Sequence, residues 1–287
     1  MNEPNIVILA GGVSSRMKRS SAQTSLLDAA LQSEAKKKSK AMMSVGINNK
    51  PFLDYLLYNI SAAGYCNVVI VVGERDQTIR EYYEMQGGAK QFDLLTLHYA
   101  IQQIPLGRDK PLGTADALLQ ALKLMPAWKG QAFTVCNSDN LYSVKALQML
   151  LNDSHGNALI DYDRSALRYA QDRITQFAVI LKDTEGFLQD IVEKPSVEEI
   201  LCTADATGRI GVSMNIFRLS YDDVYPFLER VPLHPTRQEK ELPNAVRMMV
   251  AQHPRSVFTI PLSEHVIDLT SQADISLVQE YLRREFR

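Results

Sequence analysis

An apolar run at residues 5–10 leads directly into Gly11 and Gly12, followed by Val13, Ser14, Ser15 and Arg16. Backbone amides beside glycine can approach a polyphosphate closely because no Cβ intervenes, and the planar guanidinium of arginine adds a cationic fork. Leu9, Ala10, Gly11, Gly12, Ser14, Ser15 and Arg16 therefore form a candidate phosphate-facing turn. The turn has neither the G-x-G-x-x-G spacing of dinucleotide sites nor the Gly-Lys-Ser/Thr ending of a P-loop, which argues against a dehydrogenase or a kinase. Asp139 follows a second apolar run, in VCNSDNLYS, and Glu193-Lys194-Pro195 closes a third. A carboxylate at a strand end stands where an α/β sheet opens its ligand crevice. Taken singly, such an aspartate also fits a turn or a cap, and Glu193-Lys194 also fits a surface ion pair. His98, His155, His234, His253 and His265 show neither ligand nor triad spacing, so no histidine is assigned to catalysis.

These residues need strands and helices to hold them. Residues 5–10, 67–73 and 131–136 read as strands buried on both faces, because their apolar residues are nearly continuous. Helical spacing over 51–63 begins at Pro51 and stops at Gly64, and a similar pattern covers 114–125. This β-then-α alternation predicts an α/β fold with a doubly wound, mainly parallel sheet. Strands follow more closely in the second half, near 157–163, 174–181, 187–193 and 212–219, and predict an antiparallel or mixed extension. Helices at 221–229 and 242–252, a strand at 256–261 and a last amphipathic helix at 271–284 complete the pattern. No linker or repeat divides the chain, so one domain with two lobes is expected, about 1–150 and 151–287.

The 287 residues are 46% hydrophobic and carry a formal charge of −2. That is enough apolar chain for a large core, and it gives no reason to expect nucleic acid or an anionic membrane as partner. The basic run Lys36-Lys37-Lys38 is too short for a nucleic-acid footprint and suits the end of a helix over 25–35. Cys66, Cys136 and Cys202 are widely spaced, which fits a reducing compartment. With no apolar run of membrane-spanning length and no basic leader, a soluble cytoplasmic protein is the expectation.

The stretch LAGGVSSRMK, followed after an insertion by KAMMSVGINNKPFLDYLLYNISAAGY, resembles the N-terminal signature of the sugar-phosphate nucleotidyltransferase family. Arg16, Lys40 and Lys50-Pro51 match the family's loop arginine, its lysine and its turn opening a helix, while Ser14 and Ser39 replace the usual glycine and proline. PLGTADALLQAL continues the resemblance, with Gly113 and Thr114 in the family's Gly-Thr-Ala turn and Gln102 in the place of its base-contacting glutamine. Considered by itself, Thr114 also fits a helix N-cap. Asp139 and Asp268, the latter in VIDLTSQAD, resemble the family's two metal-binding aspartates. Glu193 and Lys194 match a motif that holds the sugar and its phosphate, and Asn140, Ala178 and Asn215 fall on the sugar side.

The resemblance implies a Rossmann-like nucleotidyltransferase fold with a sugar-binding lobe. It also implies a reaction that joins a nucleoside triphosphate to a sugar 1-phosphate and releases pyrophosphate, with Mg²⁺ as the hard cation that oxygen ligands suit. Arg16, Lys40, Asp139 and Lys194 are its expected catalytic residues. Two other readings are a nucleotidyltransferase for a non-sugar acceptor, of the phospho-alcohol or molybdenum-cofactor type, and a silent sugar-nucleotide sensor. The base, the sugar and the oligomeric state stay open, a homo-oligomer included. The insertion over 17–39 reads either as a lid that closes on nucleotide or as a passive decoration.

Overall fold

The computed structural model describes residues 4–12, 17, 31, 33–35, 38–85 and 87–286. Strand β1, Asn5–Leu9, is buried along its whole length. It pairs in parallel with β2, Asn67–Gly73, and with β4, Ala132–Asn137, while β2 pairs in parallel with β3, Thr96–Gln102. The period of two along these strands sends alternate residues to opposite faces. Ile6 and Ile8 join Val68, Ile70 and Val72 in one apolar cluster; Val7 and Leu9 join Val69, Val71 and Val135 in another. This two-sided burial explains why the strands read as continuous apolar runs.

Helices cover both faces. On the first lie α1, Phe52–Ala63, α3, Val144–Leu151, and α6, Ile275–Glu285. On the second lie α2, Thr114–Leu124, α4, Tyr221–Arg230, and α5, Leu242–Gln252. α1 ends as expected, with Gly64 in the left-handed region at φ 99° and its amide on the Ile60 and Ser61 carbonyls.

The sheet order is β10-β6-β9-β4-β1-β2-β3, in which β6 is Ala158–Asp163, β9 Gly211–Ser220 and β10 Phe258–Leu262. β9 runs antiparallel to both β4 and β6, whereas β10 is parallel to β6. The first half is thus all-parallel and the extension is mixed. β7, Val179–Lys182, and β8, Leu188–Val192, form an antiparallel pair branching from β9. A separate two-stranded ribbon joins β5, Asn140–Leu141, to β11, Ile267–Asp268.

Two expected elements differ. The strand expected from 174 begins only at Val179: Gln171–Ile174 forms a short helix, and the turn after it places the Gln176 and Phe177 amides on the Arg173 and Ile174 carbonyls. Arg173 on that helix is tied to Asp268 and Asp274. The last helix splits: Gln272–Asp274 is a 3-10 turn closed by a Ser271/Asp274 capping box, and the α-helix starts at Ile275.

Candidate active site

The carboxyl ends of β1, β3 and β4 surround a cleft of about 210 Å³, whose lining includes Leu9, Ala10, Gly11, Gly12, Gln102 and Asp139. Its far wall is the start of α2, with Gly113 and Thr114. A Cβ at Gly11 would stand 2.7 Å from Gln102 Oε1, so a larger residue there would displace the end of that side chain. At Gly12 a Cβ would meet nothing within 4 Å, so this glycine leaves the backbone open to the cleft. Ser14, Ser15 and Arg16 lie outside the described residues.

Gln102 is buried, and its amide nitrogen donates to the Gly113 carbonyl and to Asp116 Oδ2, each at 2.8 Å. Both amide protons are therefore used, and only the oxygen of this side chain is left to accept from a base. Thr114 is not the helix N-cap. That position falls to Gly113 at φ 108°, and the Thr114 hydroxyl instead accepts from the Leu242 backbone amide at 2.9 Å. Gly113 is obligatory for a second reason: a Cβ would lie 2.6 Å from the Lys240 carbonyl oxygen. The partial positive end of α2 faces the cleft, a favourable setting for phosphate or carboxylate.

Lys40 opens the 3-10 turn Lys40–Met42, and its ammonium lies 2.8 Å from Asp139 Oδ2. Both side chains are largely shielded, at 13% and 23% exposure, so this pair is held more firmly than an open surface bridge. The Asp139 carbonyl accepts from the Leu269 amide at 2.8 Å, and Asp268 pairs with Asn140 across the β5–β11 ribbon. The ribbon is thus the device that brings the two aspartates, distant in sequence, side by side. Their carboxylates face different partners. Asp268 Oδ2 lies 2.6 Å from the Arg173 guanidinium, its Oδ1 accepts from the Thr270 hydroxyl, and it lines a neighbouring cleft with Tyr169, Arg173 and Asp274. Burial, and then the charge of Asp139, push the Asp268 carboxyl above the ordinary carboxylate range in spite of Arg173.

The two aspartates that the β5–β11 ribbon brings together supply carboxylate oxygens, the donor type that a hard divalent cation such as Mg²⁺ takes. Among the described residues no group of three or more His, Cys, Asp or Glu could hold a metal, so substrate and water oxygens would have to complete any such site.

Of the residues expected to hold the sugar, Glu193 is paired with Arg237 at 3.2 Å, and Arg237 also lies 2.5 Å from Glu241. Lys194 is exposed after β8, in the left-handed region at φ 49°. Asn140 is buried and spent on the Tyr142 hydroxyl and the Met214 carbonyl, both at 3.1 Å. Asn215 sits at φ 56° within the register shift of β9. Asparagine adopts that conformation more readily than most non-glycine residues. The Ala178 carbonyl accepts from the Ser213 amide at 2.9 Å and so ties β7 to β9 beside that shift. Glu193, Lys194, Asn140, Ala178, Asn215 and Asp268 do not line the cleft that holds Lys40 and Asp139.

Four charged residues were not singled out by sequence: Lys110 and Glu239, which line the cleft, and Arg173 and Arg237, which pair with Asp268 and Glu193. Their only signal was charge in a loop or short helix, as in HPTRQEKE before ELPNAV.

The nucleotidyl transferase family model matches residues 34–259, and the chain belongs to that family. It is 26% identical to a glucose-1-phosphate adenylyltransferase of Corynebacterium efficiens over 152 residues, 50% of this chain and 35% of the relative. It is 24% identical to the bifunctional protein GlmU of Thermodesulfovibrio yellowstonii over 283 residues, 97% of this chain and 52% of the relative. The chain therefore spans about a third to a half of these relatives' length. In fold it is similar to a UDP-glucose pyrophosphorylase complexed with UDP-glucose, at a TM-score of 0.69 and 18% identity, covering 99% of this chain and 100% of that one. A UDP-glucose pyrophosphorylase from Acinetobacter baumanii superposes equally well, with TM-score 0.69 and 19% identity, covering 100% and 95%. Among the described residues no helix is long and apolar enough to cross a membrane.

Proposed function

We propose that this chain joins a nucleoside triphosphate to a sugar 1-phosphate, giving a nucleoside diphosphate sugar and pyrophosphate, in the cytoplasm. The observation that carries this reading is the Lys40–Asp139 pair in a cleft that also contains the Gly11-Gly12 turn and the start of α2. Cation, carboxylate, open backbone and a helix N-terminus are the parts that phosphoryl-type transfer needs, since it asks for positioning and charge neutralisation more than covalent work.

In this reading the lobe of residues 1–150 takes the triphosphate. Gly11 and Gly12 bring their backbone near its phosphates, Gln102 offers its free amide oxygen to the base, and Gly113 and Thr114 present the helix end. Lys40, with Arg16 as assigned from sequence, carries the charge of the departing pyrophosphate. The lobe of residues 151–287 takes the sugar phosphate, with Glu193 and Lys194 as its anchors and Asn140, Ala178 and Asn215 shaping the sugar pocket. The attacking phosphate oxygen is anionic at neutral pH, so no side chain has to remove a proton from it. When bound by Asp139 and Asp268, Mg²⁺ supplies charge neutralisation at the phosphate oxygens.

The test is a matrix of nucleoside triphosphates against sugar 1-phosphates, read by pyrophosphate release with and without Mg²⁺. One productive, magnesium-dependent combination is expected. A full matrix without pyrophosphate release would overturn the reading.

A further inference from the structure

Both carboxylates assigned to the metal already carry a cation from the chain, but the two cations are held in different ways. Lys40 meets Asp139 inside the cleft. Arg173 comes from the short helix Gln171–Ile174 and has three anchors. One guanidinium nitrogen lies 2.6 Å from Asp268 Oδ2, the other contacts Asp274 Oδ1, and the guanidinium carbon stands 4.5 Å from the centre of the Tyr169 ring. The ring is itself fixed by a hydrogen bond from its hydroxyl to the Val266 carbonyl. Asp274 is held independently, because its second oxygen caps the amides of Thr270 and Ser271.

This arrangement lets Arg173 release one partner and keep two. A guanidinium that left Asp268 would still have the Asp274 carboxylate and an aromatic face, both favourable for a delocalised cation. The Asp268 oxygen it gave up would then offer its lone pair to another cation. With Oδ1 already accepting from the Thr270 hydroxyl, Oδ2 is the oxygen for which Arg173 and a metal ion compete.

We propose that Arg173 is the resident counter-ion of Asp268, a positioning residue that holds this carboxylate until a divalent cation displaces it and so sets the metal affinity of the site. The proposal rests on Asp268 being a metal ligand. The guanidinium neutralises a carboxylate that burial beside Asp139 would leave poorly compensated, and it holds Asp268 Oδ2 on the side of Tyr169 and Asp274. Metal binding then has to overcome this internal pair, so the free protein holds the ion weakly.

The experiment titrates full-length protein with Mn²⁺, without nucleotide or sugar phosphate, following free Mn²⁺ by electron paramagnetic resonance. Arg173→Gln is expected to bind Mn²⁺ about tenfold or more tightly than the unaltered chain, since a competing cation is gone. Arg173→Lys, whose single ammonium is a point charge without the guanidinium fork, is expected to fall between the two and serves as the readout if the glutamine variant does not fold. A purely structural arginine predicts unchanged or weaker Mn²⁺ binding in both folded variants, and that result would overturn the proposal. The double variant Arg173→Gln/Asp268→Asn separates this from the reading beneath it. Loss of the gained affinity supports both, whereas a double variant that binds Mn²⁺ as tightly as Arg173→Gln removes Asp268 from the metal site and the proposal with it.

Discussion

The ammonium of Lys110 lies 2.6 Å from Glu239 and donates to the Arg237 carbonyl at 3.0 Å. These contacts, with the Lys240 amide on the Leu112 carbonyl at 2.5 Å, stitch the loop before α2 to the loop before α5. Arg237, on the second loop, reaches Glu193, so the wall of the cleft is joined to the end of β8 by a short chain of polar contacts. Glu239→Gln should loosen this strap. A several-fold rise in the KM for the triphosphate, with kcat nearly unchanged, is expected in steady-state pyrophosphate release. A fall in kcat alone would assign Glu239 to the chemical step instead.

Asp139→Ala and Asp268→Ala are each expected to abolish turnover while the circular dichroism spectrum is retained. The ribbon that brings these residues together is held by backbone pairing, which alanine preserves. Near-normal activity in either purified variant would remove that aspartate from the metal site.

Lys194→Ala should act on one substrate. A charge-assisted contact is worth roughly 1.5–3 kcal/mol, and the exposure of Lys194 favours the lower end. About a tenfold rise in the KM for sugar 1-phosphate is therefore expected, with the triphosphate KM unchanged. The reverse pattern would move Lys194 to the other subsite.

On β6, Asp161 is fully buried and paired with Lys182 at 2.6 Å and Arg209 at 2.7 Å. Asp161→Ala leaves two largely buried cations without their shared partner, for which a loss of about 3–5 kcal/mol is expected in urea unfolding. A loss below 1 kcal/mol would mean that water or Asp205, 3.8 Å from Lys182, compensates.

His265 gives the protein an acid-sensitive element. Burial, followed by the charges of Arg168 and Arg173, lowers its imidazole from 6.5 to about 4. Its Nδ1 accepts from the Arg168 backbone amide at 3.2 Å, which requires the neutral ring. Between pH 6.5 and 4 the unfolded chain binds a proton at this residue and the folded chain does not, so stability falls as pH falls through that window. Unfolding of His265→Gln should show a shallower pH dependence there than the unaltered chain. Parallel curves would show that other groups set the acid sensitivity.

Much of this architecture was legible in the chain. The strands at 67–73 and 242–252's helix match the structure residue for residue, because buried parallel strands and amphipathic helices impose strong local periodicities. The cleft residues Gly11, Gly12 and Asp139 were legible for a related reason: an α/β sheet places its site at strand ends, and those residues come just after β1 and β4, whereas Gln102 and Gly113 were legible only through the family resemblance. The turn at Ser14 to Arg16 and most of the insertion over 17–39, whether lid or decoration, lie outside the described residues. Within that insertion Met17 is buried, with its carbonyl accepting from Gln272 at 2.8 Å.

Tertiary structure decided the pairings. No local pattern could place Arg173 on Asp268, 95 residues away, or show the short helix that carries it. Nor could it show that Thr114 serves Leu242 rather than its own helix, or that the amide protons of Gln102 are spent on Gly113 and Asp116. Periodicity and turn chemistry are written along the chain, within a few residues of each other. Which charge neutralises which depends on distances between segments that meet only after the sheet has formed, and on how little water is left between them.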